Sequence, residues 1–108
     1  MAPKEHTQMK LSVPDEIATL IRGCHPRLKS KIREGLRRIL AETESGEFLK
    51  DALTGLQSYR ISKFRIIYRG SFLHLIEIVG IGPRKKIYEE TYRIIKKESE
   101  QYHAGRVL

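Results

Sequence analysis

The sequence has few residues that could form disulfide bonds or cysteine-based metal sites. Its 108 residues include a single cysteine, Cys24, which excludes an intramolecular disulfide and any zinc site held by several cysteines. No apolar run approaches the roughly 18 residues that a membrane-spanning helix needs. The N-terminal residues Met1–His6 lack the apolar core of a signal peptide. We therefore expect one domain over residues 1–108, in a reduced, cytoplasmic protein without a membrane partner.

Metal-ligand patterns are also missing. The four histidines are scattered, with no closely spaced pair and no accompanying carboxylate cluster. The run Gly80-Ile81-Gly82 is too short, and wrongly placed, for a dinucleotide-binding fingerprint. We therefore expect neither a catalytic metal nor a cofactor.

Acidic residues are scarce relative to basic ones. The chain has 13 Asp and Glu against 21 Lys and Arg, for a net charge of +8. Between positions 52 and 88, seven cations face a single carboxylate, Glu77, for a net charge of +6. These cations are Arg60, Lys63, Arg65, Arg69, Arg84, Lys85 and Lys86. Such a concentration of positive charge indicates a nucleic acid or an acidic protein as partner.

The first half of the chain predicts a strand followed by two helices. Residues 7–13 have weak strand patterning, and Ser12 with Asp15 resembles a capping box at a helix start. Apolar residues recur at helical spacing from Ile17 to Cys24, so a short helix should end near Gly23, and Pro26 opens a longer amphipathic helix. The short connection predicts an antiparallel helical hairpin. Gly46 should end the second helix. Four apolar residues should then pack the following loop against the core: Phe48, Leu49, Leu53 and Leu56.

The second half alternates with the period of strands. Around residues 58–69, apolar and aromatic positions alternate with others that include Arg60, Arg65 and Arg69, so these arginines should share one side of a sheet. A third strand is expected over 72–79, broken by Gly80 and the residues after it, then a short strand over 84–88 and a terminal helix. The prediction is an α+β fold with an antiparallel meander, the helices on one face and the other face open.

The cations on this face suggest a site for phosphates. Arginine presents a planar fork that binds phosphate oxygens in pairs and stabilises charge that develops on phosphorus. The alternative is a solvated sheet face that prevents aggregation. Tyr88 could stack on a base or belong to the core. The last strand, beside 64–69, would bring the triplet Arg84-Lys85-Lys86 into the same groove as the strand arginines.

Two stretches resemble a known family. The run LKDALTGLQSYRISKFRIIY over 49–68, followed by IVGIGPRKKIY over 78–88, is similar to motifs of the RelE toxins of the RelE/ParE superfamily. With the two helices before them, the resemblance spans roughly residues 7 to 95. It implies a toxin that is neutralised by a cognate antitoxin and that cleaves ribosome-bound messenger RNA. In such toxins the ribose 2′-hydroxyl attacks the neighbouring phosphate, without a metal.

The resemblance also implies roles for individual residues. Arg65 matches the strand arginine of the family, Arg84 the arginine of the closing motif, Tyr88 its tyrosine, and Arg60 a basic residue on the preceding strand. Ser62 stands where a second lysine is expected, so either Lys63 or Arg60 would have to assist proton transfer. Pro83 stands where many relatives have histidine. Further RNA contacts are expected from three cations: Arg69, Lys85 and Lys86.

Other functions fit the same pattern. A non-enzymatic ParE-like toxin that binds and poisons DNA gyrase would share the fold, and an RNA-binding domain without toxicity would share the charge. Either kind of toxin implies an acidic antitoxin as partner, and a RelE-like toxin would also bind messenger RNA and ribosomal RNA. A salt-dependent complex would follow if charge pairing steers the antitoxin.

Overall fold

The helices and strands follow an α+β order. A computed structural model describes residues 9–71 and 74–107. The elements are β1 (Lys10–Ser12), α1 (Asp15–Arg22), α2 (Pro26–Ala41), β2 (Glu47–Phe48), β3 (Gln57–Ile61), β4 (Phe64–Ser71), β5 (Leu75–Pro83) and α3 (Arg84–Val107). The five strands form one mixed sheet in the order β1-β5-β4-β3-β2, with β1 parallel to β5 and all other neighbours antiparallel. The predicted α+β meander with an N-terminal helical hairpin and a C-terminal helix is confirmed.

The helical hairpin forms largely where the sequence predicts it. Helix α1 ends at Gly23, and Pro26 occupies the first turn of α2, whose N-terminus is capped when the Arg27 N–H donates to His25 Nδ1 (3.1 Å). The predicted capping box at Ser12 is wrong. Ser12 belongs to β1, which lies at the sheet edge as expected, and Ser12 pairs with Glu77 of β5. The N-cap of α1 is Pro14 instead, which makes no side-chain hydrogen bond.

One face of the sheet packs against the hairpin. Ile32 and Ile39 of α2 are fully buried against sheet residues that include Ile61, Ile66 and Ile76. Gly35 lies between them on the helix, and a Cβ there would meet Ile61 Cδ1 at 2.7 Å. The helix can approach β3 this closely only because the position lacks a side chain.

A buried tyrosine ties the sheet to the loop after α2. The hydroxyl of Tyr68 accepts a hydrogen bond from the Gly46 N–H (2.9 Å) and donates to the Thr43 carbonyl (2.7 Å). Burial raises the pKa of this phenol, although the hydrogen bond from Gly46 acts in the opposite direction. Gly46 does not close α2, which ends at Ala41; a single 3₁₀ turn separates the two.

The third helix packs on the opposite face of the sheet. Side chains of successive strand residues point to opposite faces, and while Ile66 faces the hairpin, Ile67 packs with Ile87 of α3 and with Leu56. The expectation that all helices share one face is therefore wrong, and α3 covers part of the face predicted to be open. The loop before β3 contributes Leu49 and Leu53 to this second cluster, as well as Leu56, whereas Phe48 is 60% exposed.

Strand β5 continues through the glycines that were expected to break it. It runs to Pro83, and residues 84–88 form the start of α3 rather than a last strand. Residues 72 and 73 of the predicted third strand lie outside the described residues. The glycines permit close packing: a Cβ at Gly80 would meet Ile87 Cδ1 at 2.8 Å. Within the described part of the chain, no helix has the length and apolarity needed to cross a membrane.

Candidate nucleic-acid interface

Two arginines form a cross-strand pair on the α3 side of the sheet. Arg60 of β3 lies directly opposite Arg65 of β4, and the neighbouring pair Tyr59 and Ile66 faces the hairpin. Arg60 is exposed and Arg65 is half-buried. Like charges that face each other directly across two strands destabilise the pair. An anion bound between them would remove this cost.

The start of α3 brings three more cations to the same end of the sheet. Arg65 pairs with Gly82 of β5, and α3 begins two residues later with Arg84, Lys85 and Lys86, all exposed. The first turn contains no acidic residue. Pro83 precedes it and has no side-chain oxygen that could cap the free N–H groups. A helix N-terminus carries partial positive charge, so this arrangement favours a bound anion.

Tyr88 lies one turn into α3 and joins the same surface. It is half-buried beside Ile67 and Ile87, and its hydroxyl donates to Ser58 Oγ at 3.1 Å. Its ring therefore belongs partly to the core, while part of it stays accessible. Ser58 is buried two residues before Arg60, on the same side of β3. Sequence reasoning overlooked Ser58 as a partner of Tyr88, although strand alternation places it on this face.

We call this set the basic surface; it consists of Arg60, Arg65, Arg84, Lys85, Lys86 and Tyr88. Strands β3 and β4 and helix α3 each supply part of it. The triplet begins two residues after Gly82, the partner of Arg65, and a helix rather than the predicted strand carries it.

Lys63 and Ser62 form the two-residue turn between β3 and β4. Ser62 has φ of +53°, a left-handed conformation, and its carbonyl oxygen accepts from Arg60 Nε at 3.5 Å. Lys63 is exposed and lines a shallow groove of about 250 Å³. The groove is also lined by His25, Arg27 and Lys31, so the structure groups Lys63 with the cations of α2.

Arg69 lies on the same face as Arg60 and Arg65, as predicted, but has carboxylate partners. Its Nε donates to Glu77 Oε1 at 2.8 Å, and its two terminal nitrogens lie 3.2–3.3 Å from the carboxylate of Glu98 in α3. Burial disfavours the charged guanidinium, but the hydrogen bonds to Glu98 and Glu77 outweigh it and the net effect raises the pKa of Arg69. Its predicted RNA contact thus competes with two internal ion pairs.

The described residues contain no group of three or more His, Cys, Asp or Glu side chains that could hold a metal ion. The arrangement offers instead arginine forks, a helix N-terminus and an aromatic ring. Together these groups can bind a phosphate, stabilise added negative charge on it, and contact an adjacent base.

Comparison with known proteins identifies the fold. No protein-family model matches the sequence, and curated proteins give no significant match. The RelBE2 toxin–antitoxin complex of Mycobacterium tuberculosis matches with a TM-score of 0.63 and 18% identity, over 70% of this chain and 98% of that chain. The RelE–RelB complex of Pyrococcus horikoshii matches at 0.60 and 17%, over 73% and 98%. A mutant of the E. coli toxin RelE in the free state matches at 0.65 and 14%, over 84% and 97%. The chain therefore has the RelE toxin fold.

Proposed function

We propose that this chain is the toxin of a toxin–antitoxin pair and an endoribonuclease that cleaves ribosome-bound messenger RNA. The observation that carries the proposal is the basic surface, where Arg60 and Arg65 lie opposite each other beside the start of α3. A surface of this kind is unfavourable without an anion and becomes favourable when a phosphate binds. The RelE fold supports the same conclusion.

The proposed reaction is an internal transesterification. The 2′-oxygen of a ribose loses its proton and attacks the adjacent phosphorus, while the bond to the 5′-oxygen of the next nucleotide breaks and that oxygen takes a proton. The products are a 2′,3′-cyclic phosphate and a free 5′-hydroxyl. Arg65 and Arg84 would hold the phosphate oxygens and stabilise their added charge, and Tyr88 would stack on a flanking base.

Neither Arg60 nor Lys63 meets both requirements for proton transfer, which are a position beside the phosphate and the ability to act as a base. Arg60 stands next to Arg65 and is well placed, but arginine stays protonated and is a poor base. Lysine is the commoner base of the two residue types, but Lys63 is exposed at the turn and lines a groove with Arg27 and Lys31 rather than with Arg65. Lys63→Gln would abolish cleavage if Lys63 is the base, whereas Arg60→Gln would then weaken it only through lost phosphate binding.

The partners follow from the same surface. An acidic antitoxin would cover the basic surface and exclude RNA, and Lys85 and Lys86 would contact messenger or ribosomal RNA when it is uncovered. Arg69 would make its predicted RNA contact only after releasing Glu77 and Glu98. Two matching structures contain toxin–antitoxin complexes, of Mycobacterium tuberculosis and Pyrococcus horikoshii. Binding of both polyanions should weaken as salt rises, because surface charges are screened.

Message cleavage on programmed ribosomes tests the proposal. Wild type and the variants Arg84→Ala and Arg93→Ala would be incubated with ribosomes, and the ends of the message mapped. Arg93 is an exposed arginine of the same helix, outside the basic surface, so it matches the change in charge. We expect cleavage to fall by at least about 100-fold in Arg84→Ala, the scale of a lost transition-state donor, and to persist in Arg93→Ala. Undiminished cleavage by Arg84→Ala would refute the assignment.

A ParE-like gyrase poison is the second candidate. The position of Lys63 among the α2 cations favours it, because the lysine expected to act as base then lies outside the basic surface. A supercoiling assay with added protein separates the two functions. A RelE-like toxin leaves gyrase activity unchanged, and a ParE-like toxin inhibits it without cleaving message.

A further inference from the structure

A concave surface that does not include Tyr88 lies along α3, outside the basic surface. It is a groove of about 390 Å³ between α1, β5 and α3. Its apolar lining includes Ile17 and Leu20 of α1 and Ile87 and Ile94 of α3. Leu20 is 49% exposed and Ile94 41% exposed. Both side chains are accessible in the lining of one groove, so a ligand seated there would bury them and gain free energy.

The charge of this groove is opposite to that of the rest of the chain. Among the residues that the structure describes, four carboxylates line it, from Glu16, Glu77, Glu90 and Glu98, together with one cation, Arg69. Arg69 pairs with Glu77 and Glu98. Within the described part of the chain, Glu16 and Glu90 form no such ion pair, and they stand on the two helices that border the groove. The protein as a whole carries +8, so this acidic site is a local exception.

The two bordering helices also set the shape of what can bind. The lining residues Ile87, Glu90, Ile94 and Glu98 recur at helical spacing along one side of α3. They extend over about 16 Å, or three turns of helix, at 1.5 Å per residue. A short helix is the element that commonly occupies a groove of this length between two helices.

We infer that this acidic groove binds a cationic amphipathic helix of a partner protein, with apolar side chains on Leu20 and Ile94 and lysines or arginines against Glu16 and Glu90. An acidic partner segment would meet like charges here, so it belongs on the basic surface instead. A nucleic acid is excluded from the groove for the same reason. The inference does not depend on ribonuclease activity, because the groove lies outside the basic surface.

Two synthetic helical peptides of about 14 residues test this inference. Both carry leucine and isoleucine on one face; the first has lysine on both flanks and the second has glutamate at the same positions. Each would be titrated into the full chain at low salt, and binding followed by fluorescence anisotropy and amide chemical shifts. We expect the lysine peptide to bind saturably and to shift the amides of Ile17, Leu20 and Ile94.

Charge reversal locates the contact. The double variant Glu16→Lys with Glu90→Lys should weaken binding of the lysine peptide by about tenfold or more. A matched control, Glu34→Lys with Glu44→Lys, makes the same change in net charge at exposed positions away from the groove and should bind as wild type does. All four positions are exposed, so the fold should tolerate both variants, which circular dichroism would check.

Three outcomes would overturn the inference. The first is that the glutamate peptide binds the groove more tightly than the lysine peptide. The second is that reversing Glu16 and Glu90 weakens binding no more than the control does. The third is that the free chain self-associates in sedimentation experiments and Leu20→Ser abolishes this association, because the groove would then be covered by a second copy.

Discussion

The bridge from Arg69 to Glu77 and Glu98 is the clearest target for a quantitative test of how α3 is held on the sheet. Arg69→Met keeps much of the side chain's length and apolar stem but removes the guanidinium. The change breaks the 2.8 Å contact to β5 and the forked contact at 3.2–3.3 Å to α3, and it leaves two carboxylates facing a methionine.

The expected loss can be worked out from exposure and geometry. The Arg69 side chain is only 28% exposed, and those of Glu77 and Glu98 are 39% and 50% exposed. Exposed ion pairs contribute roughly 0.2–1 kcal/mol each, and a forked arginine in partial burial lies at the upper end. Two such contacts, with the added repulsion between the remaining carboxylates, give about 2 kcal/mol. For a chain of this size that corresponds to a fall in Tm of roughly 10 °C.

Urea denaturation followed by circular dichroism measures this loss directly. The triple variant with Glu77→Gln and Glu98→Gln should recover part of it, because no unpaired carboxylate remains. At about 1 M salt, where the Debye length is about 3 Å, the cost of Arg69→Met should shrink. A loss below about 0.5 kcal/mol at low salt, or an equal loss at high salt, would contradict this account of the bridge.

Three further predictions concern other parts of the fold. Tyr68→Phe should lower the free energy of unfolding by about 1–3 kcal/mol at pH 7, because the Gly46 N–H and the Thr43 carbonyl lose their partner. Since burial raises the phenol pKa above 10.0, wild type should lose this advantage as pH rises past 10. A difference in urea stability between the two proteins that is constant from pH 7 to 11 would refute this prediction. Ser62→Gly should stabilise the chain by about 0.5–1 kcal/mol, because glycine removes the strain at a φ of +53°, whereas Ser30→Gly inside α2 should destabilise it in the same thermal melts. Arg65→Gln should raise Tm and reduce the stabilisation given by sulfate, because Arg60 loses its like-charged neighbour; equal sulfate effects in Arg65→Gln and wild type would argue against an anion site there.

The sequence predicted those parts of the fold that are set by neighbouring residues. Gly23 and Pro26 mark where one helix ends and the next begins, and strand alternation put Arg60 and Arg65 on one face. Each of these features depends on turn chemistry or on side-chain period over a few residues. The resemblance to RelE toxins added the overall fold, which solved structures at 14–18% identity confirm.

What the sequence did not predict depends on contacts between distant segments. Glycine within a strand usually signals a break, but Gly80 lies inside β5 because α3 packs directly over it. Glu98 reaches Arg69 across 29 positions of the chain, so the periodicity of either segment could not reveal the pair. The same holds for the hydrogen bond between Tyr88 and Ser58, which required knowing that α3 returns over β3.

The length of the turn between β3 and β4 constrains which changes the chain can accept. Only Ser62 and Lys63 separate the paired residues Ile61 and Phe64. One inserted residue must either bulge out of the turn or shift the register between β3 and β4 by one residue. Such a shift would turn either Arg60 or Arg65 toward the face that packs against the helical hairpin. Substitutions at the tip should therefore be accepted far more readily than insertions or deletions, since chain length rather than residue identity keeps the two guanidinium groups together.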